Sequence, residues 1–294
     1  MYAITGVTGR VGGELARTLR AAGLPVRAIL RDATKAAPWQ ALGCEIALAR
    51  MEDAPALTAA FVGATAVFVL PPPQFDPSPG YPEARAVCES VAAGLAGARP
   101  GRVVSLSTVG ADAVHDNLLT QRTLMETALQ PLATPVTFLR PAWFIENAAW
   151  DVGTARDTGV LPSFLQPLDK LFPMVATGDV GRAAASLMQQ EWQGVRVVEL
   201  EGPKRLSAND LAAGFAQVLY RPVDAVAVAR ETWEDLFRAQ GMKNPQPRIR
   251  MLDGFNEGWI DFSDGGRNTI KGSIDLVSVL QALVDCAPGL EPRS

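Results

Sequence analysis

Apolar positions in the first half of the chain fall into short runs, separated by stretches with a different period. "YAIT" at 2–5 is a run of strand length. After a glycine turn, Val11, Leu15, Leu19 and Ala22 recur every three or four residues, one face of a helix that Gly23 can stop. "PVRAILR" at 25–31 predicts a second strand and "EIALA" at 45–49 a third. "ALTAAFVGATAVFVLPP" predicts a helix, a break at Gly63 and a fourth strand ending at Pro71. A helix over 81–98 leads to a strand in "RVVSLS" at 102–107. "TQRTLMETALQPLA" again has helical spacing, and 135–140 in "PVTFLRPAWF" supplies a sixth strand.

Strands that alternate with helices predict right-handed βαβ units and a mostly parallel sheet covered on both faces. The expected class is α/β, a Rossmann-like doubly wound parallel sheet with a smaller C-terminal α/β lobe. Near 150 the pattern loosens into prolines and aromatics, then a helix begins at about Asp179. "GVRVVELEG" and "VDAVAVA" read as strands, "SANDLAAGFAQVL" as a capped helix, and 231–262 as helix broken by "KNPQP". The sheet is therefore expected to be entered again after residue 150.

Composition narrows the class. The chain is 48% hydrophobic and 20% charged with a net charge of −4, and its basic residues are scattered, which argues against a nucleic-acid surface. Cys44, Cys88 and Cys286 are odd in number and far apart, so a reducing compartment is expected rather than a disulfide framework. One histidine and scattered cysteines give no metal cluster. No cleavable leader and no membrane-length apolar run is seen, so the expectation is a soluble, cytoplasmic protein.

The candidate chemistry begins in "TGVTGRVG", where Gly6, Gly9 and Gly12 lie three apart between a strand and a helix. Such glycines permit a tight turn, close approach of a pyrophosphate, and close helix–strand packing. The helix start then favours phosphate through its free N–H groups and dipole. Thr8, Arg10 and Val11 complete the candidate loop. The alternative is a purely structural turn, against which the flanking strand and helix weigh. At the end of the second strand, Arg31 and Lys35 in "AILRDATK" match a 2′-phosphate, and Asp32 competes as a ribose ligand, so NADPH is favoured over NADH. A solvated edge is the other reading of the two cations. Residues 1–150 are thus expected to form the NAD(P)-binding domain, borrowing parts of 175–200, with 151–294 mostly a substrate lobe.

Side chains at the carboxyl rim of the sheet supply the remaining candidates. Pro71, with Pro72 and Pro73, ends strand four, and Ser105 and Ser107 end strand five, where open α/β sheets bind ligands. Either serine can instead cap the next turn. His115 follows in a loop and reads first as a solvated histidine, with a substrate contact near the nicotinamide as the alternative. Trp143, Phe144, Asn147 and Trp150, with Phe164, Phe172 and Met174, can line an apolar pocket for a planar molecule or simply pack a core.

The opening loop, "VRAILRD", "VFVLPP", "VVSLSTVGA", "TPVTFLRPAWFIEN" and "DVGRAAA" occur in the order seen in the NmrA-like branch of atypical short-chain dehydrogenases. The chain resembles the bacterial NADPH-dependent quinone reductases and triphenylmethane reductases of that branch over roughly residues 2–220. The resemblance implies a Rossmann domain, a small substrate lobe and usually NADP. It implies the pyrophosphate loop at Gly6, Gly9 and Gly12, 2′-phosphate ligands at Arg31 and Lys35, an amide near the substrate cleft at Asn147, and a structural helix start at Asp179 and Val180. Two departures stand out. Met51, followed by Glu52 and Asp53, occupies the place of an acid that meets the adenine, and Leu118 with Arg122 falls where the tyrosine–lysine pair is expected.

Leucine cannot donate a proton, so alcohol–ketone chemistry loses its acid. Hydride transfer to a quinone-like or dye-like acceptor tolerates that loss, because catalysis then rests on positioning and on the cofactor. A non-enzymatic NADP-binding redox sensor with a regulatory protein partner, or a specialised biosynthetic reductase or isomerase, shares the same features.

Overall fold

In a computed structural model, which describes residues 1–287, the apolar runs become strands β1 (Tyr2–Thr5), β2 (Val26–Leu30), β3 (Glu45–Leu48), β4 (Ala66–Val69), β5 (Val103–Leu106) and β6 (Val136–Pro141). Helices α1 (Arg10–Ala21), α2 (Ala37–Ala41), α3 (Ala54–Phe61), α4 (Pro82–Ala98) and α5 (Thr120–Leu129) lie between them. Every residue of β4, β5 and β6 is buried, as expected of strands covered on both faces. β1 pairs in parallel with β2 and β4, β2 with β3, β4 with β5, and β5 with β6.

The chain continues through β7 (Trp143–Phe144), α6 (Val152–Thr158), β8 (Val160–Ser163), β9 (Met174–Val175) and α7 (Thr177–Gln189). It ends with β10 (Val195–Glu201), α8 (Ala208–Leu219), β11 (Asp224–Ala227), α9 (Trp233–Ala239), α10 (Gln246–Glu257), β12 (Ile270–Lys271) and α11 (Leu276–Asp285). The main sheet has the order β12-β10-β6-β5-β4-β1-β2-β3, a Rossmann-like parallel sheet, and the C-terminal part forms a smaller α/β lobe. The chain does re-enter the sheet after residue 150, through β10. The short elements β7, β8, β9, α2 and α6 have no clear periodic signal in the sequence, because each is too brief to show one.

Two compact units are formed. One contains Met1–Asp112, Leu119–Arg140 and Val180–Val198; the other contains Ala113–Leu118, Pro141–Asp179 and, of the described residues, 199–287. In the first, Leu57, Phe61, Val67, Val69, Val87, Val91, Leu95 and Phe138 build a continuous core among α3, α4, α5 and the sheet. In the second, β8 pairs with β11 and β7 with β9, both in parallel. Its core includes Trp233, Phe237, Phe215 and Phe172, each fully enclosed. Asn256 of α10 accepts from the Gln166 N–H at 2.9 Å and donates to the Phe164 carbonyl at 2.9 Å. Lys170 Nζ donates to the Phe255 and Asn256 carbonyls at 2.9 and 2.7 Å, so α10 is strapped to the 164–170 segment.

Candidate functional site

The first unit holds the glycine loop. Thr5, the last residue of β1, donates its hydroxyl to the Phe68 carbonyl at 3.1 Å and accepts the Leu70 N–H at 2.7 Å, which fixes the end of β1 against β4. Gly6 then turns the chain at φ +68°, a left-handed conformation that costs glycine little. Its carbonyl accepts the Gly9 N–H at 3.0 Å, and α1 begins at the next residue. A Cβ on Gly12 would stand 2.4 Å from the Gly6 carbonyl oxygen, closer than any real contact, so the first turn of α1 can lie against the loop only with glycine there. At Gly9 a Cβ would meet only that same oxygen, at 3.4 Å. The N-cap, Gly9, offers no side chain to the first helical N–H groups. Backbone donors, helix dipole and open space thus coincide at an exposed Thr8–Gly9–Arg10 rim, with Val11 buried beneath it. This donor set fits a pyrophosphate.

Around the loop, Arg31, Asp32 and Lys35 are exposed where β2 ends. Asp32 is used locally: its carboxylate accepts the Thr34 N–H at 2.9 Å and hydroxyl at 2.7 Å. Those bonds, with help from Lys35 and Arg31, hold its pKa below the ordinary carboxylate value. Capping a 3-10 turn removes Asp32 from easy competition for a ribose. Arg10, Arg31 and Lys35 form no salt bridge among the described residues. After β3, Asp53 caps α3 by accepting the Ala56 N–H at 3.0 Å, and Met51 packs against the core.

At the carboxyl ends of β4 and β5, Pro71, Ser105 and Ser107 are all buried. Ser107 donates its hydroxyl to Glu126 Oε1 at 2.5 Å. Glu126 also receives a two-pronged pair from Arg140, at 2.9 and 2.7 Å, and Arg140 Nη1 reaches Asp112 Oδ2 at 2.7 Å. Burial works against the Arg140 charge, but the Glu126 bonds and the Glu126 and Asp112 charges outweigh it and hold the pKa above the ordinary value. Nothing in the spacing of Ser107, Glu126 and Arg140 shows this network. "FLRP" reads as a strand end, and only sheet register brings Arg140 to α5.

The helix expected to carry the tyrosine–lysine positions begins at Thr120, so Leu118 lies before it rather than on it. Its N–H donates to the Pro247 carbonyl at 2.8 Å. Arg122 lies in the first turn of α5, whose sequence TQRTLMETAL contains neither tyrosine nor lysine. The chain has only three tyrosines, and these fall in β1 (Tyr2), before α4 (Tyr81) and after α8 (Tyr220).

The other acceptor-side candidates belong to the second unit. His115 is exposed and meets Trp259 edge-on, with ring centroids 5.1 Å apart. Trp143 meets Phe255 edge-on at 5.2 Å, and Phe144 is half-buried in β7. Asn147 is exposed, and Trp150 keeps 84% of its surface open. Phe172 and Met174, by contrast, are core residues at 1% exposure, and Phe164 packs on Trp233 and Phe237. Within the second unit, then, the aromatic patch separates into an accessible set and a structural set. Asp179 accepts the Ser273 and Ile274 N–H groups at 3.0 and 2.9 Å. Glu146 accepts the Thr177 N–H at 2.8 Å and so caps α7.

Asp151 is a residue the sequence did not flag. Burial pushes its carboxyl up to about 7 from 3.8, with no compensating charge. Below 3.8 both folded and unfolded chains hold the proton; between 3.8 and about 7 only the unfolded chain ionises, so stability falls as pH rises and the full penalty stands above 7. Asp151→Asn is expected to stabilise the fold above pH 7 by on the order of a few kcal/mol, read as a higher melting temperature, and to leave stability unchanged below 3.8. Thermal melts across that range check this; a gain independent of pH would contradict it.

Among the described residues, no helix is long and apolar enough to cross a membrane, and no group of three or more His, Cys, Asp or Glu side chains could hold a metal ion.

The sequence was compared with known proteins. The NAD(P)H azoreductase of Xenophilus azovorans is 28% identical over 245 residues, which cover 82% of this chain and 82% of that protein. The NADP(H) complex of the triphenylmethane reductase of Citrobacter sp. has the same fold, with a TM-score of 0.77 at 19% identity, covering 96% of this chain and 99% of that one. The NADPH-dependent quinone oxidoreductase of Escherichia coli gives 0.76 at 21%, covering 97% and 99%. The family model of the NmrA-like family matches residues 2–257, and the chain belongs to that family.

Proposed function

We propose that this protein is an NADPH-dependent reductase of flat, conjugated acceptors such as quinones and dyes, working without a tyrosine–lysine acid pair. The observation that carries the reading is the cradle at Gly6–Gly12, which excludes a Cβ on Gly12 and presents an uncapped helix start. The names of the relatives, an azoreductase, a triphenylmethane reductase and a quinone oxidoreductase, support the acceptor class.

When bound, NADPH supplies a hydride. The chain's own part is binding and orientation. The N–H groups at the start of α1 hold the pyrophosphate, with Thr8, Gly9, Arg10 and Val11 forming its seat. Arg31 and Lys35 take the 2′-phosphate, since Asp32 is committed to Thr34. Pro71 and Ser105 wall the rim. Ser107 donates its hydroxyl hydrogen bond to Glu126 and acts by positioning rather than as an acid. Trp143, Phe144, Asn147 and His115 are the proposed acceptor contacts. An acceptor whose reduced form carries its negative charge over a conjugated system needs no strong general acid, which suits α5.

The test is NADPH oxidation by the purified protein with quinones, azo dyes and triphenylmethane dyes. Turnover is expected; tight NADPH binding with no turnover across the panel overturns the enzyme reading in favour of a sensor. Arg31→Ala is expected to weaken NADPH about 10- to 100-fold, the range of charge-assisted bonds, with little change for NADH. Equal weakening of both would show that Arg31 does not read the 2′-phosphate.

A further inference from the structure

A cleft in the first unit lies beyond the end of β4, between the first turns of α4 and α5, and shares Pro71 with the proposed cofactor rim. It encloses about 90 Å³. Its apolar wall is Pro71, Pro72, Val87 and Met125; Arg122 and Cys88 are its ionisable inner groups, and Gln74, Gln121, Glu52 and Glu83 complete it.

Arg122 is unusual among the arginines here. Its one side-chain hydrogen bond, from Nη2, goes to the neutral Pro71 carbonyl at 3.3 Å. Among the described residues no carboxylate comes within salt-bridge distance of it. The residue keeps some open surface, yet the packing around its guanidinium pushes the pKa down to about 10, so it is still a cation at neutral pH. Cys88 offers no counter-charge, because burial pushes its thiol up to about 11. Glu83 is engaged by the Ser78 hydroxyl. Glu52 is exposed at the edge. Gln121 Nε2 donates to the Gln74 carbonyl at 2.9 Å, which ties the α5 start to the loop after β4. Phe75, beside Gln74 in that loop, is 59% exposed.

A desolvated cation without an anion is costly to keep unless something pairs with it. A guanidinium in a cleft with apolar walls matches a planar two-oxygen anion on an apolar body. We propose that this cleft binds a small aromatic molecule carrying a carboxylate or sulfonate, with the anion paired to Arg122 and the ring against Pro71, Pro72 and Val87. The site does not depend on the reductase reading, since binding alone defines it. An inorganic oxyanion has the same charged chemistry and lacks the ring.

The test is isothermal titration calorimetry on the full chain with benzenesulfonate, benzyl alcohol and sodium sulfate. Benzenesulfonate is expected to bind the wild type, to bind Arg122→Gln about tenfold more weakly or worse, and to bind Arg122→Lys at an intermediate level. Arg31→Ala should bind it as the wild type does. Arg122-dependent binding of sulfate as tight as that of benzenesulfonate keeps the anion site and assigns it to inorganic oxyanions. The proposal is overturned if Arg122→Gln binds benzenesulfonate like the wild type, if benzyl alcohol binds equally well, if Arg31→Ala removes the binding, or if the wild type does not bind at millimolar concentration. Arg122→Gln removes a cation that has no carboxylate partner among the described residues, so it should melt no lower than the wild type, and Arg122→Lys keeps the charge if Arg122→Gln fails to fold.

Discussion

Gly12→Ala is expected to cost at least about 2 kcal/mol of stability, the scale of overpacking at a site that cannot relax, and to weaken NADPH binding by about a hundredfold or more. The added Cβ would lie 2.4 Å from the Gly6 carbonyl oxygen and 2.7 Å from its carbonyl carbon. Both are backbone atoms, so no side chain can move aside. Relief requires the loop to shift, and the loop is tied by the Gly9 N–H to the same Gly6 oxygen and, through Thr5 and Leu70, to β4. A shifted loop no longer aims the first N–H groups of α1. Gly9→Ala is the comparison: its Cβ finds only that oxygen, at 3.4 Å, so it should fold nearly as well as the wild type while still weakening NADPH. Thermal melts and NADPH fluorescence titrations check both. A Gly12→Ala protein with wild-type melting and affinity would show that the tight contact does not govern the cradle.

The second large effect lies in the buried pair behind Ser107. Arg140→Met is expected to destabilise the protein by about 3–5 kcal/mol, the cost of leaving a buried charge without its partner. The Arg140 and Glu126 side chains are only 11% and 13% exposed, whereas Asp112 is 54% exposed and can be solvated when the arginine is lost. The double change Arg140→Met with Glu126→Gln should recover a large part of the loss, because it removes the stranded carboxylate as well. Denaturant unfolding of the single and double variants measures this. A double variant no more stable than Arg140→Met alone would mean that the loss comes from packing around residue 140 rather than from the charge.

Much of the first unit is legible in the chain. Glycines at 6, 9 and 12 after an apolar run, and an amphipathic stretch after them, specify strand, turn and helix through local sterics and period alone. Arg31 and Lys35 are visible for the same reason, since they follow the second strand directly. Helix boundaries were less legible. "NLLTQRTLMETAL" has helical spacing throughout, yet α5 starts only at Thr120, because the Leu118 N–H is taken by the Pro247 carbonyl far along the chain. Likewise Phe172 and Met174 read in sequence as either pocket lining or core; only their 1% exposure makes them core.

The sequence by itself determined the α/β alternation, the glycine loop, the cations beside it and the absence of tyrosine and lysine from the fifth helix, since each is a matter of nearest neighbours and period. Only the tertiary structure decided that Asp32 is spent on Thr34, that Ser107 donates its hydroxyl hydrogen bond to Glu126, and that Arg122 is left desolvated with no carboxylate partner among the described residues. Burial and pairing of charge depend on which distant strands and helices come together, and parallel crossovers bring together residues that no local pattern relates.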